Sequence, residues 1–201
     1  TKANVKIIGC HSGLSVGPDG ATHQALEDIA ITRVLPNLVV IVPADANEAY
    51  QAVTWAADYD GPVYIRLTRE KTPVFTNLVK KFELGKSHVA VKGEDVTIIA
   101  CGPIAYEAIQ AAEILKDHDI TADVIISPSI KPFDVETLLA SVKRTGAVVT
   151  VEEHQITGGL GGVVAEVLGE HLPAPIERVG MPDSFGESGQ PGELFKKYGL
   201  D

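Results

Sequence analysis

The sequence predicts an α/β protein built on parallel sheets with covering helices: a partial parallel-sheet domain, then a small α/β domain with a largely parallel sheet. Three observations carry this. Short β-branched runs alternate along the chain with longer stretches of helical spacing. Leu38–Val42 is apolar throughout, as a strand covered on both faces is. A polar, glycine-rich stretch, residues 9–23, directly follows a strand, where parallel sheets gather ligands.

Asn4–Gly9 reads as the first strand. Gln24–Leu35 reads as a helix, with Leu26, Ile29, Ala30 and Val34 on one face. After strand Leu38–Val42, Asp45–Tyr59 reads as a second helix, with Asp45 as N-cap and Glu48 at capping-box spacing. Pro62–Leu67 is a third strand. The rhythm then breaks over Lys71–Glu94, which holds Pro73, the pair Lys80-Lys81, Gly85 and Gly93; it reads as a linker with one strand near Ser87–Val91. A second series follows: strand Val96–Cys101, helix Tyr106–Asp117, strand Ala122–Ser127, helix Val135–Lys143, strand Ala147–Glu152, helix Gly159–Glu170, strand Ile176–Val179 and a helix near Gly192–Tyr198.

Residues 95–201 therefore read as a complete small domain. Residues 1–70 do not: three strands and two helices make a poor sheet with raw edges. They read as the back half of a larger parallel-sheet domain, whose earlier strands precede Asn4 or come from another chain.

Composition narrows the function. The 201 residues are 45% hydrophobic and 22% charged, with a formal net charge of −10. That balance argues against a general nucleic-acid binder and against an anionic-membrane binder. A phosphorylated substrate stays open, because a few local Arg and His residues can hold one phosphate. No apolar run approaches the ~20 residues of a membrane span, and no signal-peptide pattern is visible. Cys10 and Cys101 form no C-x-x-C, so a disulfide or zinc site is not expected and a reducing cytoplasm is the expected home.

The loop after the first strand is the candidate site. His11, Ser12, Asp19, Thr22 and His23 lie on or beside it. Histidine can serve as acid, base or neutral hydrogen-bond partner near neutral pH. Gly13, Gly17 and Gly20 let the backbone turn sharply and approach a ligand. By composition alone, a simple turn and a site weigh about equally; two histidines with an aspartate at one strand end tip the balance toward a site. Several sharper motifs fail. Gly9-Cys10-His11-Ser12-Gly13 has its serine one place late for a nucleophile elbow. His11 and His23 lack the i, i+4 spacing of a helical zinc site. Gly158-Gly159-Leu160-Gly161-Gly162 has Val164 where a dinucleotide loop needs glycine, and reads as a helix-entry turn rather than an anion site. Glu152, Glu153 and His154 read as a solvated strand end or subunit contact rather than a site. In Ile65–Glu70, alternation sends Arg66 and Arg69 to opposite sides, so one arginine at most serves a site. The competing reading of that pair is surface salt bridges, to Glu70 or Asp58.

These residues resemble transketolases. The family pattern is a strand, then T-H-D-S-I-x-x-G-x-D-G-P-T-H-Q, a helix ending R-x-x-P-N, and a strand ending P-a-D. Here stand Cys10-His11-Ser12-Gly13-Leu14, Gly17-Pro18-Asp19-Gly20-Ala21-Thr22-His23-Gln24, Arg33-Val34-Leu35-Pro36-Asn37 and Pro43-Ala44-Asp45. The resemblance covers the whole chain: residues 1–70 as the end of a pyrimidine-binding domain, 71–94 as linker, and 95–201 as a transketolase C-terminal domain. It implies a thiamine diphosphate enzyme with Mg2+ that moves a two-carbon glycolaldehyde unit from a ketose phosphate to an aldose phosphate. It implies His23 beside the reacting carbonyl and the cofactor's aminopyrimidine, Asp19 on a sugar hydroxyl, and His11 and Arg69 on the substrate phosphate, with Arg66 in a supporting role.

The departures are equally informative. The family's catalytic glutamate, the aromatic clamp on the pyrimidine ring, and the domain that binds diphosphate and magnesium all lie outside this sequence. Ser12 and Gly13 replace the family's aspartate and serine. The resemblance thus implies one part of a larger assembly, inactive alone: a fragment, or the C-terminal polypeptide of a split transketolase, with an N-terminal subunit or domain as partner and a homodimer as the expected form. Two relatives share the architecture, 1-deoxyxylulose-5-phosphate synthase and the β subunit of 2-oxo-acid dehydrogenases, and a non-catalytic dimerisation or scaffold piece is a separate, non-enzymatic alternative. The Asp19-Gly20-x-Thr22-His23-Gln24 string favours transketolase.

Overall fold

A computed structural model describes residues 2–76 and 81–201; Lys80 of the basic pair lies outside them. The elements run β1 (Lys6–Gly9), a 3-10 turn (Leu14–Asp19), α1 (Asp28–Arg33), β2 (Val39–Ile41), α2 (Ala46–Asp58), β3 (Val63–Arg66), β4 (His88–Val91), β5 (Val96–Ala100), α3 (Ala105–Lys116), β6 (Ala122–Ile126), β7 (Ser129–Lys131), α4 (Val135–Thr145), β8 (Val148–Gln155), α5 (Leu160–His171), β9 (Ile176–Met181) and α6 (Pro191–Tyr198). Among the described residues no helix is long and apolar enough to cross a membrane.

Two sheets result. The first has the order β1-β3-β2-β7, the second β4-β6-β5-β8-β9. In the first, β1, β3 and β2 run parallel. In the second, β6, β5, β8 and β9 run parallel while β4, from the linker stretch, pairs antiparallel with β6. Both sheets are thus mostly parallel with one antiparallel edge, as the alternating sequence pattern predicts.

One expectation fails instructively. Residues 95–201 do not keep all their strands to themselves. β7 leaves the second sheet and pairs antiparallel with β2, Val40 opposite Lys131 and Ile41 opposite Ser129. It covers an edge that the sequence leaves raw. The other edge, β1, carries half-exposed Ile7 and Ile8, with half-exposed Val5 just before it. Adjacent residues point to opposite faces of a strand, so both faces of β1 are open.

The helix expected over 24–35 is only Asp28–Arg33. Residues before it are held otherwise: Ser12 and Ala25 form an isolated parallel bridge, and the Gln24 amide donates to the carbonyls of Leu14, Gly17 and Glu187. Leu26 and Ile29 are buried as predicted, but Val34 lies past the helix end and is 70% exposed.

α2 forms as its cap predicts. The Glu48 amide donates to Asp45 Oδ1 at 3.0 Å. The Glu48 carboxylate accepts the Ala44 amide at 2.7 Å, one residue earlier than a standard capping box. Asp45 also accepts the amides of Phe75 and Thr76, at 2.8 and 2.6 Å. Burial opposes its ionisation, yet the bonds from Thr76, Glu48 and Phe75 win and hold its carboxyl below the ordinary value. The linker is pinned further on: the Phe82 amide donates to Gln51, and the Ser87 amide to Asp134, the N-cap of α4. Asp45→Ala is expected to cost about 2 kcal/mol or more, through the lost cap and two released linker amides; a urea titration of the variant against the parent measures it.

Candidate functional site

The site loop leaves β1 and is tied back to the sheet. The Leu67 amide donates to the Gly9 carbonyl at 2.7 Å, and the Ser12 amide to the Leu67 carbonyl at 3.1 Å. This brings the carboxyl ends of β1 and β3 together. Backbone strain marks the loop: His11 sits at φ 63, uncommon for a residue with a Cβ, and Gly17, mid-turn at φ 70, takes a conformation suited to glycine.

The four predicted side chains converge. Asp19 closes the 3-10 turn, and its Oδ2 accepts Arg69 Nη1 at 2.6 Å. Both are about two-fifths exposed. The Arg69 bond, with His23 and His11 adding positive charge nearby, holds the Asp19 carboxyl below its ordinary value. His23 is exposed, with Nδ1 2.9 Å from Thr22 Oγ1. His11 and Cys10 are exposed as well. The result is an open face carrying two imidazoles, a carboxylate and a guanidinium.

The arginines divide as alternation predicts. Arg69 turns to this face. Arg66 is 3% exposed and turns inward. Its Nε donates to both carboxylate oxygens of Asp28, at 3.1 and 2.9 Å. Its Nη2 donates to the carbonyls of Ala25 and Glu153, at 3.1 and 2.8 Å. Tyr64 Oη completes the cluster, donating to Asp28 Oδ2 at 2.6 Å. Neither Glu70 nor Asp58 is the main partner of either arginine.

Glu152, Glu153 and His154 are not a solvated strand end. All three are at most 3% exposed. Alternation on β8 turns the two carboxylates to opposite faces, and each caps a helical start. Glu152 accepts the Leu160 and Gly161 amides at 2.7 and 2.8 Å. The glycine run is thus a helix entry, and the anion at its N-terminus is the chain's own carboxylate. Glu153 Oε2 accepts the Ser15 amide at 2.9 Å. His154 Nε2 accepts the Ala30 amide at 3.3 Å, and its Nδ1 lies 2.7 Å from the Gln155 carbonyl. A neutral ring protonated at Nδ1 satisfies both contacts, and burial keeps this imidazole harder to protonate than usual. Sequence reasoning missed these supports; adjacent acids ending a strand beside a glycine run were the only signal.

The donor set bears on the implied cofactor. An exposed imidazole at His23, beside a carboxylate, fits proton exchange with the polar edge of an aminopyrimidine. Among the described residues no group of three or more His, Cys, Asp or Glu could hold a metal ion.

Two outcomes are expected. Arg66→Ala leaves Asp28 buried and unpaired and should cost about 3–5 kcal/mol, whereas Arg69→Ala on the open face should change stability by less than about 0.5 kcal/mol; denaturant melts compare them. Burial pushes the Glu152 carboxyl up to about 7, against the pull of the Gly161 and Leu160 amides. A carboxyl more easily protonated when folded stabilises fully below its unfolded value, and that stability is lost as pH rises through about 7. Unfolding free energy should therefore fall between about pH 5 and 8, by on the order of 1–3 kcal/mol for this group. Glu48, also raised to about 7 by burial, acts in the same direction. Glu152→Gln should flatten the profile, measured by urea titration across that range.

Comparison with known proteins identifies the two halves of the chain. The pyrimidine-binding domain of transketolase matches residues 1–74, and the transketolase C-terminal domain matches 85–201. A Methanocaldococcus jannaschii protein provisionally named a transketolase C-terminal section is 47% identical over all of this chain and 63% of its own length. One subunit of the apulose-4-phosphate transketolase of Phocaeicola vulgatus is 42% identical over 98% of this chain and 64% of its own length. A solved structure described as a split-gene transketolase, in an inactive tetramer of its beta chains, superposes with a TM-score of 0.92 at 49% identity, covering 99% of this chain and 63% of that one. The chain therefore spans a little under two thirds of these relatives. With both domain families matched in order along its length, it belongs to the transketolase family.

Proposed function

We propose that this chain is the C-terminal part of a thiamine diphosphate-dependent transketolase, inactive alone and completed by an N-terminal subunit or domain. The observation that carries the reading is the convergence of His11, Asp19, His23 and Arg69 on one open face at the carboxyl ends of β1 and β3. One relative is named as a subunit and another forms an inactive tetramer; both support a partnered enzyme. A homodimer of the completed unit and a cytoplasmic setting belong to the same reading.

Each side chain has a task that its position allows. Arg69 keeps donors beyond the one given to Asp19, and with His11 it holds the substrate phosphate. Asp19, kept ionised by Arg69, accepts a sugar hydroxyl. His23, its Nδ1 engaged by Thr22, presents Nε2 outward to hold or move a proton at the substrate oxygen. Bound thiamine diphosphate, with Mg2+ held by the partner domain, supplies the carbon nucleophile.

Assembled with an N-terminal partner, thiamine diphosphate and Mg2+, the chain should transfer a two-carbon unit from a ketose phosphate to an aldose phosphate and leave pyruvate untouched. Turnover of pyruvate instead would overturn the reading in favour of a synthase or dehydrogenase. In that assembly His23→Ala should lower kcat by about 10²–10⁴-fold, read in a coupled assay of product aldose.

A further inference from the structure

Glu153 stands on β8, in the C-terminal half, yet its side chain serves the site loop. It is 3% exposed. Its carboxylate accepts the amide of Ser15 at 2.9 Å. This is an opening amide of the 3-10 turn, which has no carbonyl partner within it; burial pushes the Glu153 carboxyl above its ordinary value, against the pull of the Ser15 amide, and a carboxyl oxygen accepts that amide in either protonation state. Gly13 makes the approach possible: at φ +91, a Cβ there would lie 2.6 Å from Glu153 Oε2. The main-chain carbonyl of Glu153 meanwhile accepts Arg66 Nη2 at 2.8 Å, so the residue is fixed from behind.

The far end of the same turn carries Asp19, paired with Arg69. The turn is also backed by the C-terminal segment. A Cβ on its Gly17 would lie 3.1 Å from the Gly189 carbonyl and 3.2 Å from Pro191. The turn is two short 3-10 pieces that meet at a kink at Gly17, and the close approach of Gly189 and Pro191 backs that kink between the start held by Glu153 and Asp19 at the end.

We propose that Glu153 is a positioning residue for the substrate face: by holding Ser15 it sets where Asp19 meets Arg69. The kinetic part of this rests on the function proposed above. The C-terminal half is then part of the site's construction rather than a separate scaffold.

The test compares Glu153→Ala, Glu153→Gln, which keeps an acceptor oxygen, and Glu153→Asp, which withdraws the carboxyl by one methylene. Amide exchange of the full chain, followed by mass spectrometry, needs neither partner nor substrate. Glu153→Ala should speed exchange across residues 14–19 tenfold or more, with β5 and β6 unchanged. Glu153→Asp should reproduce the effect and replaces the alanine variant should that one fail to fold. In the assembled enzyme, KM for the ketose phosphate should rise about tenfold with kcat within threefold, and Glu153→Gln should restore KM to within threefold of the parent. Exchange raised equally in the turn and in β5 and β6, or unchanged everywhere, overturns the proposal. So does a fall in kcat at constant KM, or a glutamine variant as impaired as alanine. A parent assembly that transfers no two-carbon unit defeats the functional reading instead; the exchange result then decides alone whether Glu153 fixes the turn.

Discussion

The buried guanidinium of Arg66 is the constraint around which the rest of the molecule is arranged. A charge at 3% exposure is tolerable only when its donors are met by acceptors of fixed geometry. Here they come from three places: the Asp28 carboxylate opening α1, the Ala25 carbonyl in the segment returning from the site loop, and the Glu153 carbonyl at the end of β8. Because a planar guanidinium fixes direction as well as distance, it orients helix, loop and second sheet together. The exposed groups of the open face rest on this polar foundation. An apolar core alone would define their places less sharply.

β8 supplies the complementary half. Three consecutive residues each take a main-chain donor from a different element: α5, the site turn and α1. Polar groups in a dry interior are costly when half satisfied and rigid when fully satisfied. The three bonds tie α5, the site turn and α1 to one strand, while Ser15 Oγ and Gln24 Oε1 beside the turn are buried with no hydrogen-bond partner among the described residues. The cluster pairing Asp123 with Ser141 and Arg144 is a second network, with its carboxylate bonded to both.

Much of the architecture was legible in the sequence, for physical reasons that differ by element. Apolar runs such as Leu38–Val42 and Val96–Cys101 announced covered strands, and Asp45 announced α2, because burial and capping are local signals. β7 was not legible: three residues, Ser129–Lys131, have no period, and their pairing with β2 is set some ninety residues away. Alternation revealed that Arg66 and Arg69 part company, but the inward one is identified only by Asp28. The loop advertised itself through histidines, an aspartate and glycines. Its supports did not, because adjacent acids at a strand end normally face water. Their amide partners, Ser15 and Leu160, carry no side-chain signal for the role. The length of α1 was overread because Leu26 and Ile29 kept helical spacing while Gln24 and Ala25 were already engaged elsewhere.

The placement of β7 bears on how such a chain can be reorganised. A strand drawn from after β6 closes an edge formed before residue 70, so the two matched families interlock instead of meeting end to end. A chimera joined in the linker would swap β7 along with the rest of the second family, leaving β2 to accept a foreign strand. Recombination between relatives at that seam is thus governed by the compatibility of one three-residue pairing, which constrains exchange more tightly than the linker's own sequence does.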